Sequence, residues 1–112
     1  MILNEIQTAV HDLAIEKGWR ETNRNVGELI ALAHSELSEA LEEYRNLQTG
    51  ANLQDIRYAE DGKPEGFFIE LADLMIRVLD NAERYGVSME EMIKLKHKYN
   101  TTRPYRHGGK KA

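Results

Sequence analysis

Four carboxylates carry the pattern with most chemical content in this chain. Glu36 and Glu39 stand in HSELSEALEEYR (34–45), and Glu70 and Asp73 stand in IELADLMIR (69–77). Each pair is spaced by three. On a helix that turns about 100° per residue, Glu36 and Glu39 lie about 60° apart with Glu43 between them. Leu29, Leu32 and Ala40 fall within about 40° of Glu36 by the same geometry. These acids therefore lie on or beside an apolar seam, whereas Glu42 points to solvent. Burying unpaired carboxylates is costly, and like charges nearby raise the cost. Salt bridges are one remedy: Arg77 for Glu70 or Asp73, Arg45 for Glu42, with Asp80 as a further partner of Arg77. A hard divalent cation is the other, and Mg²⁺ takes oxygen ligands. Two acid-x-x-acid pairs on neighbouring helices fit the metal logic of helical bundles.

The elements that must position these acids are helical. A first helix is expected from about Leu3 to Lys17, with Ile6, Val10, Leu13, Ala14 and Ile15 apolar and Gly18 as its stop. Asn23 or Asn25 can cap a second, from about Val26 to Leu47. Its seam reads Val26, Ile30, Ala33, Leu37, Ala40, Tyr44 and Leu47. Residues 50–66 break the rhythm, with Asp61-Gly62 and Pro64 as turn signals. They read as a connecting loop with a short helical turn around Leu53 to Tyr58. A third helix, about Phe67 to Tyr85, ends at Gly86. Ser88 to Glu91 forms a capping box for a fourth, about Met89 to Tyr99. No strand signal is present. The fold class is all-α: a four-helix, bundle-like subunit, with a helical domain over 1–100 and a basic tail over 101–112. The wide apolar stripes of so short a chain predict a homodimer or homotetramer.

The remaining composition sets bounds. The chain has 112 residues, no cysteine and a formal net charge of -4. Disulfides and thiolate metal sites are excluded. A nucleic-acid-coating surface is disfavoured, the short basic tail being its only support. There is no secretion signal and no apolar run long enough for a membrane. A cytoplasmic protein without membrane contact is expected. A di-iron bundle would need Glu-x-x-His, and no glutamate here has histidine three residues on.

With E36-L-S-E39 followed by E70-L-A-D73 in an all-helical chain of this size, the sequence resembles the MazG-like, all-α nucleoside triphosphate pyrophosphohydrolases. The resemblance spans nearly the whole chain, including the Gly18-Trp19 turn and the basic stretch after the fourth helix. The gap between the two acid pairs is longer than is common in that family, and residues 50–66 hold the excess. The resemblance implies Mg²⁺-dependent cleavage between the α- and β-phosphates of a nucleotide, giving monophosphate and pyrophosphate. Mn²⁺ is an alternative ion. Glu36, Glu39, Glu70 and Asp73 would be metal ligands and catalytic groups, and one of them, or Glu43, would serve the attacking water. Lys96, Asn100 and Arg103, in KLKHKYNTTRP (94–104), match where the family places phosphate- or nucleotide-contacting groups. Lysines there also suit a helix C-terminus. Trp19 offers a stacking face for a base, or an anchor in a core or interface. His34 points away from Glu36 and is expected to be exposed or at an interface. The rival reading is a non-catalytic helical oligomerisation or nucleotide-binding module.

Overall fold

The first helix, α1 (Ile2–Glu16), ends where its glycine predicts. Gly18 is left-handed (φ 74°). Its N–H donates to Ile15 O at 3.0 Å and that of Trp19 donates to Ala14 O at 2.9 Å, closing the last turn. The computed structural model describes residues 2–19 and 24–105. The second helix, α2 (Val26–Arg45), starts at Asn25, whose side chain accepts from Glu28 N–H at 2.9 Å. It stops at Arg45, so Leu47 lies beyond it. The third and fourth, α3 (Phe67–Arg84) and α4 (Met89–Thr101), are joined by a short turn. Ser88 caps α4 by accepting from Glu91 N–H at 3.2 Å.

Helix α3 lies between α1 and α2, and α4 packs mainly on α1. The all-α expectation holds for the helices and fails for the connection. Residues 50–66 contain an antiparallel pair, β1 (Arg57–Tyr58) and β2 (Pro64–Glu65), with Arg57 opposite Glu65. No helical turn spans Leu53 to Tyr58. Asp61 and Gly62 do make the turn. Lys63 N–H donates to Asp61 Oδ1 at 3.0 Å, and Ala59 N–H donates to Lys63 O at 2.9 Å. Strands of two residues are too short to show a period-two pattern.

Much of the apolar surface of the helices is exposed. From Glu91 to Asn100 every residue of α4 is exposed, so this helix meets its own chain through its first turn, where Glu90 is buried. The α2 seam divides. Leu29, Glu36 and Ala40 are buried, whereas Val26, Ile30, Leu37 and Tyr44 are exposed. In α1 the buried residues are Gln7 and Ala14, while Ile6, Leu13 and Ile15 are exposed. Both helices carry two candidate stripes, and periodicity does not say which one a neighbour covers.

A polar hub takes the place of apolar contacts where α1 meets the α3–α4 turn. Gln7, 2% exposed, donates to Glu83 Oε1 at 2.9 Å and to Val87 O at 2.6 Å, and its carbonyl accepts from Met89 N–H at 3.1 Å. Ser88 Oγ donates to Asn4 Oδ1 at 2.7 Å. Among the described residues, no helix is long and apolar enough to cross a membrane.

Candidate active site

Helices α2 and α3 bring the acids together. Glu36, Glu70 and Asp73 each offer an oxygen, and these atoms lie within 4.8 Å of one another. Glu36 is buried, Glu70 half-buried and Asp73 exposed, so the cluster opens from the helix seam outward. Glu39 is more exposed and stands outside this triple, but it shares a side-chain hydrogen bond with Glu70. His34 is exposed, as expected.

The electrostatics are those of a site short of positive charge. Burial, then the charges of Asp73 and Glu39, hold the Glu70 carboxyl above its ordinary range. Asp73 is also raised, by crowding out of water and by the Glu36 charge, with Arg77 and Lys63 opposing. Arg77 Nε donates to Glu36 Oε1 at 2.7 Å, so Arg77 serves Glu36 rather than forming a close pair with Glu70 or Asp73.

A cavity of about 550 Å³ adjoins the acids. Glu36, Asp73 and Arg77 form one side of it, and Leu29, Ile76 and Trp19 supply apolar surface. Trp19 is 64% exposed there, so it is not a core anchor. The cavity also meets Asp80, which pairs with His11 Nδ1 at 2.9 Å. His11 was not legible as a site residue. Its only signal is that Asn4, Gln7, His11 and Ala14 share the spacing of a buried stripe.

The basic residues of α4 stand elsewhere. Lys96 and Asn100 line a separate depression with Met89, Met92, Ile93 and His97. Lys96 Nζ lies 5.1 Å from the Tyr99 ring centre and the Arg103 guanidinium 5.9 Å from it. One chain therefore does not gather Lys96, Asn100 and Arg103 at the acids. Arg106, His107, Lys110 and Lys111 of the tail lie outside the described residues.

Arg77 and Arg24 line the cavity itself, and further cations stand on the β1–β2 hairpin, which sequence reasoning passed over. Arg57 grips Glu43 through both terminal nitrogens, at 2.7 and 2.8 Å, and approaches Glu65 at 3.5 Å. The paired guanidinium holds the Glu43 carboxyl below its ordinary range. No family model matches the chain, and neither a curated protein nor a solved structure matches it.

Proposed function

We propose that this chain is a Mg²⁺-dependent nucleoside triphosphate pyrophosphohydrolase, cleaving the α–β phosphate bond to give a monophosphate and pyrophosphate in the cytoplasm. The observation that carries this reading is the convergence of Glu36, Glu70 and Asp73 beside a cavity edged by Trp19. The donor set fits a hard divalent cation: oxygen ligands, close enough to share one ion, and carboxyls raised by burial and by mutual charge. Glu36, Glu70 and Asp73 would hold the ion, with Glu39 joining directly or through its bond to Glu70. When bound, the cation supplies charge neutralisation for phosphate oxygens and a more acidic water.

The chain's own residues do the rest. Trp19, Leu29 and Ile76 offer a base apolar surface in a cavity that Arg24, Asp80 and Asn81 make polar elsewhere. Arg77 fixes the Glu36 carboxylate in position from the cavity's edge. A carboxylate of the cluster, or Glu43, would accept a proton from the attacking water.

The active unit in this reading is a homo-oligomer. Among the described residues, only Ala14, Leu29, Ala40 and Leu79 are buried hydrophobic residues. A helix of about a dozen residues is marginal in water without tertiary packing, yet Leu95 is 66% and Tyr99 57% exposed on α4. A second copy covering α4 and the outer stripe of α2 would stabilise both.

The test is pyrophosphate release from a panel of canonical and modified ribo- and deoxynucleoside triphosphates, with Mg²⁺ and with EDTA, for the wild type and for Asp73→Asn and Glu39→Gln. Metal-dependent release that falls at least about a hundredfold in Asp73→Asn is expected, a loss typical of disrupting a metal shell. Glu39→Gln should lose activity as well. Folded protein that releases no pyrophosphate from any nucleotide would defeat the reading. The non-catalytic module would then be favoured, consistent with Arg77 occupying one Glu36 oxygen.

A further inference from the structure

The paired helices α2 and α3 order these residues along one direction. Along α2 the order is Leu29 at the cavity, Glu36 and Glu39 at the acids, then Glu43 under the hairpin. Along α3 it runs in reverse: Ile76 at the cavity, Asp73 and Glu70 at the acids, with Glu65 just before the helix. A nucleotide whose base sits by Trp19 and whose first phosphate meets the acids therefore extends its distal phosphates toward the hairpin. From Glu36 to Glu43 the α2 axis advances about 10 Å, a span that a phosphate chain and an arginine side chain together can bridge.

That end of the helix pair needs positive charge. It is acidic and the distal phosphates are anionic. Lys96 and Asn100 line another surface, and Arg77 is engaged with Glu36. Arg57 is suited to the task. Its side chain is 61% exposed, so the guanidinium has room to pivot. Its planar fork matches a phosphate as well as the carboxylate it now holds. The anchoring of the hairpin is built in. At Gly66, where β2 enters α3, a Cβ would stand 2.7 Å from Asp55 O, so only glycine allows this close approach.

We propose that the β1–β2 hairpin is the subsite for the leaving pyrophosphate: Arg57, parked on Glu43, turns its fork to the β- and γ-phosphate oxygens, and Lys63 adds a second cation. This rests on the pyrophosphohydrolase reading and extends it to residues outside the acid motif. In the reaction, water's oxygen bonds phosphorus and the anhydride P–O bond breaks, its electron pair leaving with pyrophosphate. One proton ends on pyrophosphate and one passes through a site carboxylate to solvent. Arg57 makes no bond in this step; it offsets the charge that gathers on the leaving group.

The experiment compares wild type, Arg57→Ala and Arg57→Lys in two ways. One is kcat/KM for the tri- and diphosphate of the best nucleoside in the panel. The other is calorimetric binding of inorganic pyrophosphate with Mg²⁺, beside binding of the monophosphate. Arg57→Ala should lower the tri-to-diphosphate preference and pyrophosphate affinity each by about tenfold, the scale of one charge-assisted bidentate contact. Monophosphate binding should not change. Arg57→Lys, which keeps charge without the fork, should fall between. Preference and pyrophosphate affinity within twofold of wild type in Arg57→Ala would overturn the inference while leaving the hydrolase reading intact. A wild type that neither cleaves any nucleotide nor binds pyrophosphate would overturn both.

Discussion

Arg77 on α3 donates from Nε to Glu36 Oε1 on α2 across 2.7 Å, a bond between the two helices that also carry the acid cluster. Glu36 is buried and the guanidinium is partly exposed. Arg77→Gln leaves Glu36 beside Glu70 and Asp73 without its cation. The metal-free protein should lose about 1–2 kcal/mol, the lower part of the range for a charged hydrogen bond because Arg77 remains partly solvated. Mg²⁺ should restore most of that loss. Urea titrations with and without Mg²⁺ measure it, and an equal loss in both would show that the cation does not replace Arg77.

The raised carboxyls set a pH dependence whose sign is opposite to that of ordinary ion-paired acids. Glu70 and Asp73 have folded-state pKa values above their unfolded ones. Between those values the native state binds more protons than the unfolded state, so stability falls as pH rises. The metal-free protein should therefore gain stability as pH drops from neutral toward the ordinary carboxylate range, about 4. Below that range the Arg57–Glu43 pair acts the other way, because Glu43 is lowered and its contribution is lost on protonation. Saturating Mg²⁺ should flatten the upper limb. Denaturant midpoints across pH, with and without Mg²⁺, test this; a metal-free limb that rises toward neutral pH would contradict it.

Gln7 joins three elements through one side chain. Gln7→Leu keeps much of the volume but strips partners from Glu83, Val87 O and Met89 N–H. A cost of about 2–4 kcal/mol follows if two of those groups stay dry. Hydrogen exchange should quicken first at the start of α4, where Met89 N–H loses its acceptor. Unchanged α4 exchange alongside a lowered melting temperature would place the damage elsewhere.

Gly66 has φ 147°, where side chains are strained, and no room for a methyl against Asp55 O. Gly66→Ala should destabilise by about 2 kcal/mol or more and displace the hairpin from the acids. Faster proteolysis within residues 50–66 would report that displacement, and intact resistance would argue against it. Gly62→Ala serves as a comparison: it shares a left-handed φ of 88° but meets no atom within 4 Å.

Helix positions, caps and the inward acids were readable from residue order because they depend on local geometry. Asn25 and Ser88 cap the helices they precede, and the three-residue spacing of Glu70 and Asp73 alone puts them on one side of α3. What faces each stripe was not readable. Helices α1 and α2 carry both inward and outward candidates, and only packing showed that α1 turns Gln7 and His11 inward while Ile6 and Leu13 stay outside. The same holds for the positive charges. Lys96, Asn100 and Arg103 sit in a basic stretch that the resemblance singles out, yet one chain does not bring them to the acids, whereas Arg57 lies in an irregular segment. Two strands of two residues leave no periodic trace, and a pairing such as Arg57 with Glu43, fourteen residues apart, arises only when the chain folds back. Periodicity determined the helices and the acid motif; the long-range contacts decided which residues surround it.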